Sequence, residues 1–226
     1  MTEREQAADH LKVIRSLMER ATVYRTISWP TALFGGALAA LLAALLFLRE
    51  KAGADDGTLG EKRISEADWV ICWMVALVLT ALFNFWLVSR KSRREGRPFF
   101  SPGLKMALRG FVPPMLAGGV LGIILTLKAA AAAAAGASVW VTCYGLALLA
   151  TRGLAPTSIP RLGLAFLMAG LAAFLYSWIP IMGSESLMLE ANLIMGICFG
   201  LFHLVYGVIV MRNSRREGGA AGVEGA

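Results

Sequence analysis

Hydrophobic positions along this chain fall into blocks near twenty residues long, separated by charged or Gly- and Pro-containing stretches. That length crosses a ~30 Å hydrocarbon core at ~1.5 Å per residue of helix. The blocks predict six transmembrane helices, over residues 29–48, 69–88, 111–127, 131–150, 162–181 and 190–211. The third and fourth come from one apolar run, 111–150, which is twice a membrane thickness. Lys128 is its only charge. A lysine at the bilayer centre costs ~2.5–3.5 kcal/mol on insertion scales, so Lys128 is placed at a tight turn on the membrane rim. The alternative is a functional intramembrane lysine. The expected fold is an all-α polytopic helix bundle, because only helices or closed barrels satisfy their backbone groups in lipid.

Ahead of the first block the pattern changes period. Leu11, Ile14, Leu17, Met18, Ala21 and Tyr24 recur at helical spacing, with Lys12, Arg15, Glu19 and Arg20 on the other side. Residues 1–28 therefore read as an amphipathic helix, followed by the membrane domain (29–211) and an unstructured Gly/Ala-rich tail (212–226). The apolar stripe, represented by Leu11, Ile14 and Met18, has three possible destinations: the headgroup interface, the ends of the spans, or a protein partner. No cleavable leader is expected. The first apolar block starts only after polar sequence and its end lacks a small-residue cleavage pattern, so it reads as an uncleaved anchor.

Charge then orients the bundle. Between the second and third blocks lie Arg90, Lys91, Arg93, Arg94, Arg97, Lys105 and Arg109, against the single acid Glu95. So basic a segment resists translocation and is expected to be cytoplasmic. With six spans, both termini share that side, and 17 of the 22 Lys and Arg residues fall on it. The net charge of +7 is thus spent beside span ends, where it meets anionic headgroups, and nucleic acid is not an expected partner. A 57% hydrophobic content and a mean hydropathy of +0.64 exclude an ordinary soluble domain. Cys72, Cys143 and Cys198 all sit inside apolar blocks without paired spacing, so neither disulfides nor a metal site is expected.

A weak repeat runs through the blocks. Leu33-Phe34-Gly35-Gly36-Ala37-Leu38, Leu116-Ala117-Gly118-Gly119-Val120-Leu121 and Met168-Ala169-Gly170-Leu171 share a small-residue core, and Tyr144-Gly145 resembles Tyr206-Gly207. A hairpin repeated three times is one reading. Small residues common to all packed membrane helices are the other.

Polar residues inside spans are the candidates for chemistry. Asn192, Gly196, Gly200, His203 and Gly207 follow at three- and four-residue steps on one face of the sixth span, with Tyr206 beside them. Asn84 and Tyr144 are further candidates for the same polar network. His203 is read either as a proton relay or substrate contact, or as an interhelical hydrogen-bonding residue. No phosphate loop, metal-protease motif, nucleophile elbow or haem-ligand pair occurs, and no cofactor is expected.

The run Ile14-Arg15-Ser16-Leu17-Met18-Glu19-Arg20-Ala21-Thr22-Val23-Tyr24-Arg25, followed by Pro30, resembles the opening of some uncharacterised bacterial multi-pass membrane proteins. Phe199-Gly200-Leu201-Phe202-His203-Leu204-Val205-Tyr206-Gly207 is similar in style to their last span. The resemblance implies a bacterial inner-membrane location and carries no activity. The leading expectation is a non-enzymatic accessory subunit, sensor or anchor. Its N-terminal helix and Arg90, Lys91, Arg93, Arg94 and Arg97 would face a cytoplasmic protein or anionic lipid. The other expectation is a small homo-oligomeric permease lined by Asn192, His203 and Tyr206.

Overall fold

In the computed structural model the described residues are 29–55, 64–94, 96, 102–128, 133–177 and 187–223, and they contain helices and no strand. The helices are α1 (Trp29–Asp55), α2 (Glu66–Arg94), α3 (Pro102–Lys128), α4 (Ala133–Ala150), α5 (Ser158–Ser177), α6 (Leu187–Met195) and α7 (His203–Val223). A π-helical segment, Gly196–Phe202, joins α6 to α7. Six helical spans are long and apolar enough to cross a membrane. The proposed amphipathic helix, with Leu11, Ile14 and Met18, lies outside the described residues, as does Arg97.

Neighbouring spans run antiparallel. Thr31 of α1 meets Asn84 of α2, Gly110 of α3 faces Ala150 of α4, and Gly163 of α5 faces Leu148. The heaviest packing joins α3, α4 and α5, with α4 in the middle. A second unit pairs α1 with the whole of the last span. The α4 span is accordingly the most buried of the described spans, and α2 and α3 are the least. Hairpins α1–α2, α3–α4 and α5–α6/α7 are therefore not packed alike, as a strict threefold repeat would require.

Glycine sets both close crossings. A methyl group added at Gly145 would lie 2.5 Å from the Leu167 amide nitrogen and 2.7 Å from the Gly163 carbonyl oxygen. One added at Gly36 would lie 2.9 Å from the Leu204 nitrogen and 3.0 Å from the Gly200 oxygen. Backbone-to-backbone contact of this kind replaces the hydrophobic drive that lipid cannot supply. The outward faces of α2 and α3 remain apolar and exposed, for example Ile71, Val75, Val78, Leu116, Val120 and Ile124. A belt of this composition suits acyl chains.

Several boundaries differ from the sequence reading, for one physical reason: a helix propagates cheaply beyond the hydrocarbon once nucleated. The basic stretch from residue 89 was expected as a loop, yet α2 carries Arg90, Lys91, Arg93 and Arg94 on its last turns. Lys and Arg are good helix formers and are favoured at a helix C-terminus. Likewise α3 starts at Pro102, so Lys105 and Arg109 are helical and Pro113 and Pro114 lie inside the helix. The last helix passes Met211 and reaches Val223, where an unstructured tail was expected.

Candidate functional site

The single polar face predicted on the last span divides between the two halves of the bundle. His203 is reached first from the backbone. The π-helical turn ends immediately before it, and its own N–H donates to the Gly200 carbonyl. The Phe199 carbonyl accepts instead from the imidazole, with Nδ1 at 3.0 Å. A carbonyl only accepts, so Nδ1 carries the proton, and in the neutral ring Nε2 accepts from the Tyr144 hydroxyl at 2.9 Å. Both imidazole nitrogens are satisfied.

Aromatic rings enclose this pair. Phe166, fully buried on α5, lies 4.8 Å from Tyr144 and 5.2 Å from His203 between ring centroids. Phe199 lies 5.2 Å from Tyr144, Phe202 sits edge-on to Phe166, and Phe111 of α3 closes the side of Tyr144 at 6.2 Å. The hydrogen bond therefore ties α4 to α7 at the place where α3, α5 and the π segment also meet. π-Helical turns often mark functional positions. Here the turn delivers a histidine to a tyrosine on another helix.

Asn192 is elsewhere. It lies eleven residues earlier, roughly 16 Å along the helix at ~1.5 Å per residue. Its Oδ1 accepts from the fully buried Trp69 indole at 2.8 Å. Trp69 stacks on Trp140 at 5.5 Å with an interplanar angle of 12°, and lies 6.1 Å from Trp73. Asn84 forms a third, separate contact, accepting at Oδ1 from the Thr31 hydroxyl at 3.1 Å. Tyr206 is buried near Ser158 at the start of α5. Of the five residues proposed for one network, Tyr144 and His203 are hydrogen-bonded to each other, and Tyr206 lies within electrostatic reach of Tyr144.

Trp69, Trp73, Trp140 and Phe166 do the enclosing and were not singled out from sequence. The i, i+4 pair Trp69 and Trp73 was the available signal, since that spacing puts two large indoles on one helix face. Lys128 is exposed at the last residue of α3, as its placement at a rim requires. All three cysteines are free. Among the described residues no group of three or more His, Cys, Asp or Glu side chains is arranged to hold a metal ion.

The two ends of the bundle differ in charge. At the end holding Asn84 and Tyr206, the exposed side chains include Arg90, Arg93, Arg94, Lys105, Arg109, Arg152, Arg161, Arg212, Arg215 and Arg216. On the described helices at that end the acid is Glu217. Glu50, Glu66, Asp68 and Glu190 all lie toward the opposite end, with Arg49, Lys51 and Lys128. The Arg90 guanidinium sits 5.4 Å above the Trp86 ring, an arrangement suited to the interfacial zone. No protein-family model, curated protein or solved structure matches the chain.

Proposed function

We propose that this chain is a non-enzymatic multi-pass protein of a bacterial inner membrane, with its basic rim and both termini in the cytoplasm. It works as an accessory subunit, sensor or anchor, presenting that rim to a cytoplasmic protein or to anionic lipid. The carrying observation is the strongly basic rim, with ten exposed Lys and Arg side chains against the acid Glu217 on its described helices. Juxtamembrane lysine and arginine each contribute about 1 kcal/mol of attraction to an anionic surface. They also hold the segment on the side where it was made. The helical extension of α2 strengthens the reading, because Arg93 and Arg94 are carried on a rigid turn instead of a loop.

The test joins topology to partners. Cysteine introduced at Arg93 is expected to react with a membrane-impermeant maleimide only after the membrane is opened. Cysteine at Lys128 should react in intact cells. Gentle extraction should then recover a stoichiometric second polypeptide or tightly held anionic phospholipid, lost when Arg90, Arg93 and Arg94 are changed to Gln. Reversed labelling, or extraction unaffected by the triple change, would sink the proposal.

One observation favours a second reading, the small permease. The π-helical turn sits beside His203, in the last span, which also carries Asn192 and Tyr206. A pathway along this span would make His203→Ala lose flux while the fold survives. A histidine that only joins helices would lose thermal stability instead.

A further inference from the structure

The cations of the basic rim continue the faces that lie below them. On α2, Val75, Leu79, Leu82 and Trp86 are all exposed and recur at three- and four-residue steps, so they form one outward stripe. The same steps carry the stripe on to Arg90 and Arg93, both exposed, with Arg94 beside them. The helix is continuous across this junction and ends at Arg94. One face thus passes from aliphatic to aromatic to cationic. The Arg90 guanidinium lies 5.4 Å over the Trp86 ring, a contact that uses the face of the guanidinium and leaves its N–H edge for an acceptor.

The stripe has the dimensions of one lipid. From Val75 to Trp86 it covers about 16 Å at ~1.5 Å per residue, against about 15 Å for one leaflet of a ~30 Å hydrocarbon core. The antiparallel α3 carries the same order in reverse, with exposed Lys105 and Arg109 ahead of exposed Val112, Leu116 and Val120. The far end of α2 carries an acid instead, Asp68, which accepts from the Ser65 hydroxyl at 2.8 Å. Cations therefore meet the headgroups of one leaflet only. A cytoplasmic protein can cover those cations, but not the apolar stripe that they continue. A phospholipid with an anionic headgroup touches both in one molecule.

We infer that the outward face of α2 binds an anionic phospholipid of the leaflet on the side of the basic rim. Its phosphate accepts from Arg90, Arg93 and Arg94, its ester region lies against Trp86, and an acyl chain runs along Leu82, Leu79 and Val75. This rests on the reading of the rim as a contact surface, and it chooses lipid over protein as the occupant. The buried side chains of α2, Trp69, Val70, Trp73 and Ala76, all lie in its first three turns. The rim-side half of the helix is thus the part most open to lipid, and through it the protein senses the charge of that leaflet.

The test titrates delipidated full-length protein in neutral detergent with phosphatidylglycerol or phosphatidylcholine of matched chains, counting bound lipids by native mass spectrometry. The wild type is expected to bind its first phosphatidylglycerol about tenfold more tightly than phosphatidylcholine. Changing Arg90, Arg93 and Arg94 together to Gln should remove one tightly held phosphatidylglycerol per chain, whereas changing all three to Lys should keep it. Glycerol phosphate, the headgroup without chains, should not compete at equal concentration. Equal affinity for the two lipids would overturn the inference, as would an unchanged count in the Gln variant or full competition by glycerol phosphate. A host polypeptide lost with the Gln variant, in a protein without lipid preference, would overturn the lipid and leave the rim a contact surface. Labelling of Arg93→Cys in intact cells would overturn the cytoplasmic placement alone, because the titration has no sidedness.

Discussion

The bundle contains two polar clusters, and they are solved differently. Around His203, both imidazole nitrogens and the Tyr144 hydroxyl have partners, and four phenylalanines close the space. Around Asn192, one amide atom is paired with Trp69, while the other amide atom and the neighbouring Trp73 indole are not. A satisfied network in a low-dielectric interior rigidifies the fold, whereas a half-satisfied one is costly unless something completes it. The contrast teaches that a polar residue inside a membrane is not by itself a functional signal. The state of its partners separates a closed joint from an incomplete one.

The largest effect expected on this contrast comes from the wall of the satisfied cluster. Phe166→Ala should cost about 3–5 kcal/mol, because a fully buried ring touching Tyr144, Phe199, Phe202 and His203 leaves a cavity among helices that cannot collapse onto it. Unfolding of the reconstituted protein by denaturant titration measures it. A loss below about 1 kcal/mol would mean that the aromatic cluster does not hold the trio of α3, α4 and α5 to the last span. Next comes Gly145→Ala, expected to destabilise by about 1–3 kcal/mol in the same titration, since the new methyl meets backbone on α5 and backbone cannot turn aside.

Smaller changes separate the clusters more sharply. Tyr144→Phe removes one hydrogen bond and leaves His203 Nε2 without its donor, a cost of about 1 kcal/mol in thermal unfolding. Trp73→Phe should be neutral or slightly stabilising in the same measurement, because it removes an N–H that has no partner among the described residues. Equal losses for the two variants would erase the distinction between the satisfied cluster and the incomplete one. At the bottom of the scale, Gly119→Ala should stay within about 0.5 kcal/mol, for nothing lies within 4 Å of the added methyl.

These differences mark how far the chain could be read before its structure was seen. The spans were legible because hydrophobic length is a local property, and the blocks found in sequence correspond to the six spanning helices. Their ends were not, since Arg90–Arg94 and Lys105–Arg109 are polar and yet extend helices past the apolar blocks. The polar residues of the last span were read as one face, and the structure separates Asn192 from His203. Spacing within a helix says nothing about a neighbour such as Trp69, which lies 123 residues from Asn192 along the chain. Tyr144 and His203 illustrate the same point, being named as candidates for one network only because each was a polar residue in an apolar block.

The π-helical segment sets one further condition on the last span. A π turn holds an additional residue relative to an α-helix, so it shifts the phase of everything that follows it. Rewinding Gly196–Phe202 as α-helix with all its residues kept would turn the downstream helix by about 100° relative to Asn192. His203 would point away from Tyr144, and Arg212, Arg215 and Arg216 would face a different sector of the rim. The segment thus works as an angular reference between the two ends of the protein: the number of residues across it, as much as their identity, decides which direction the basic rim faces.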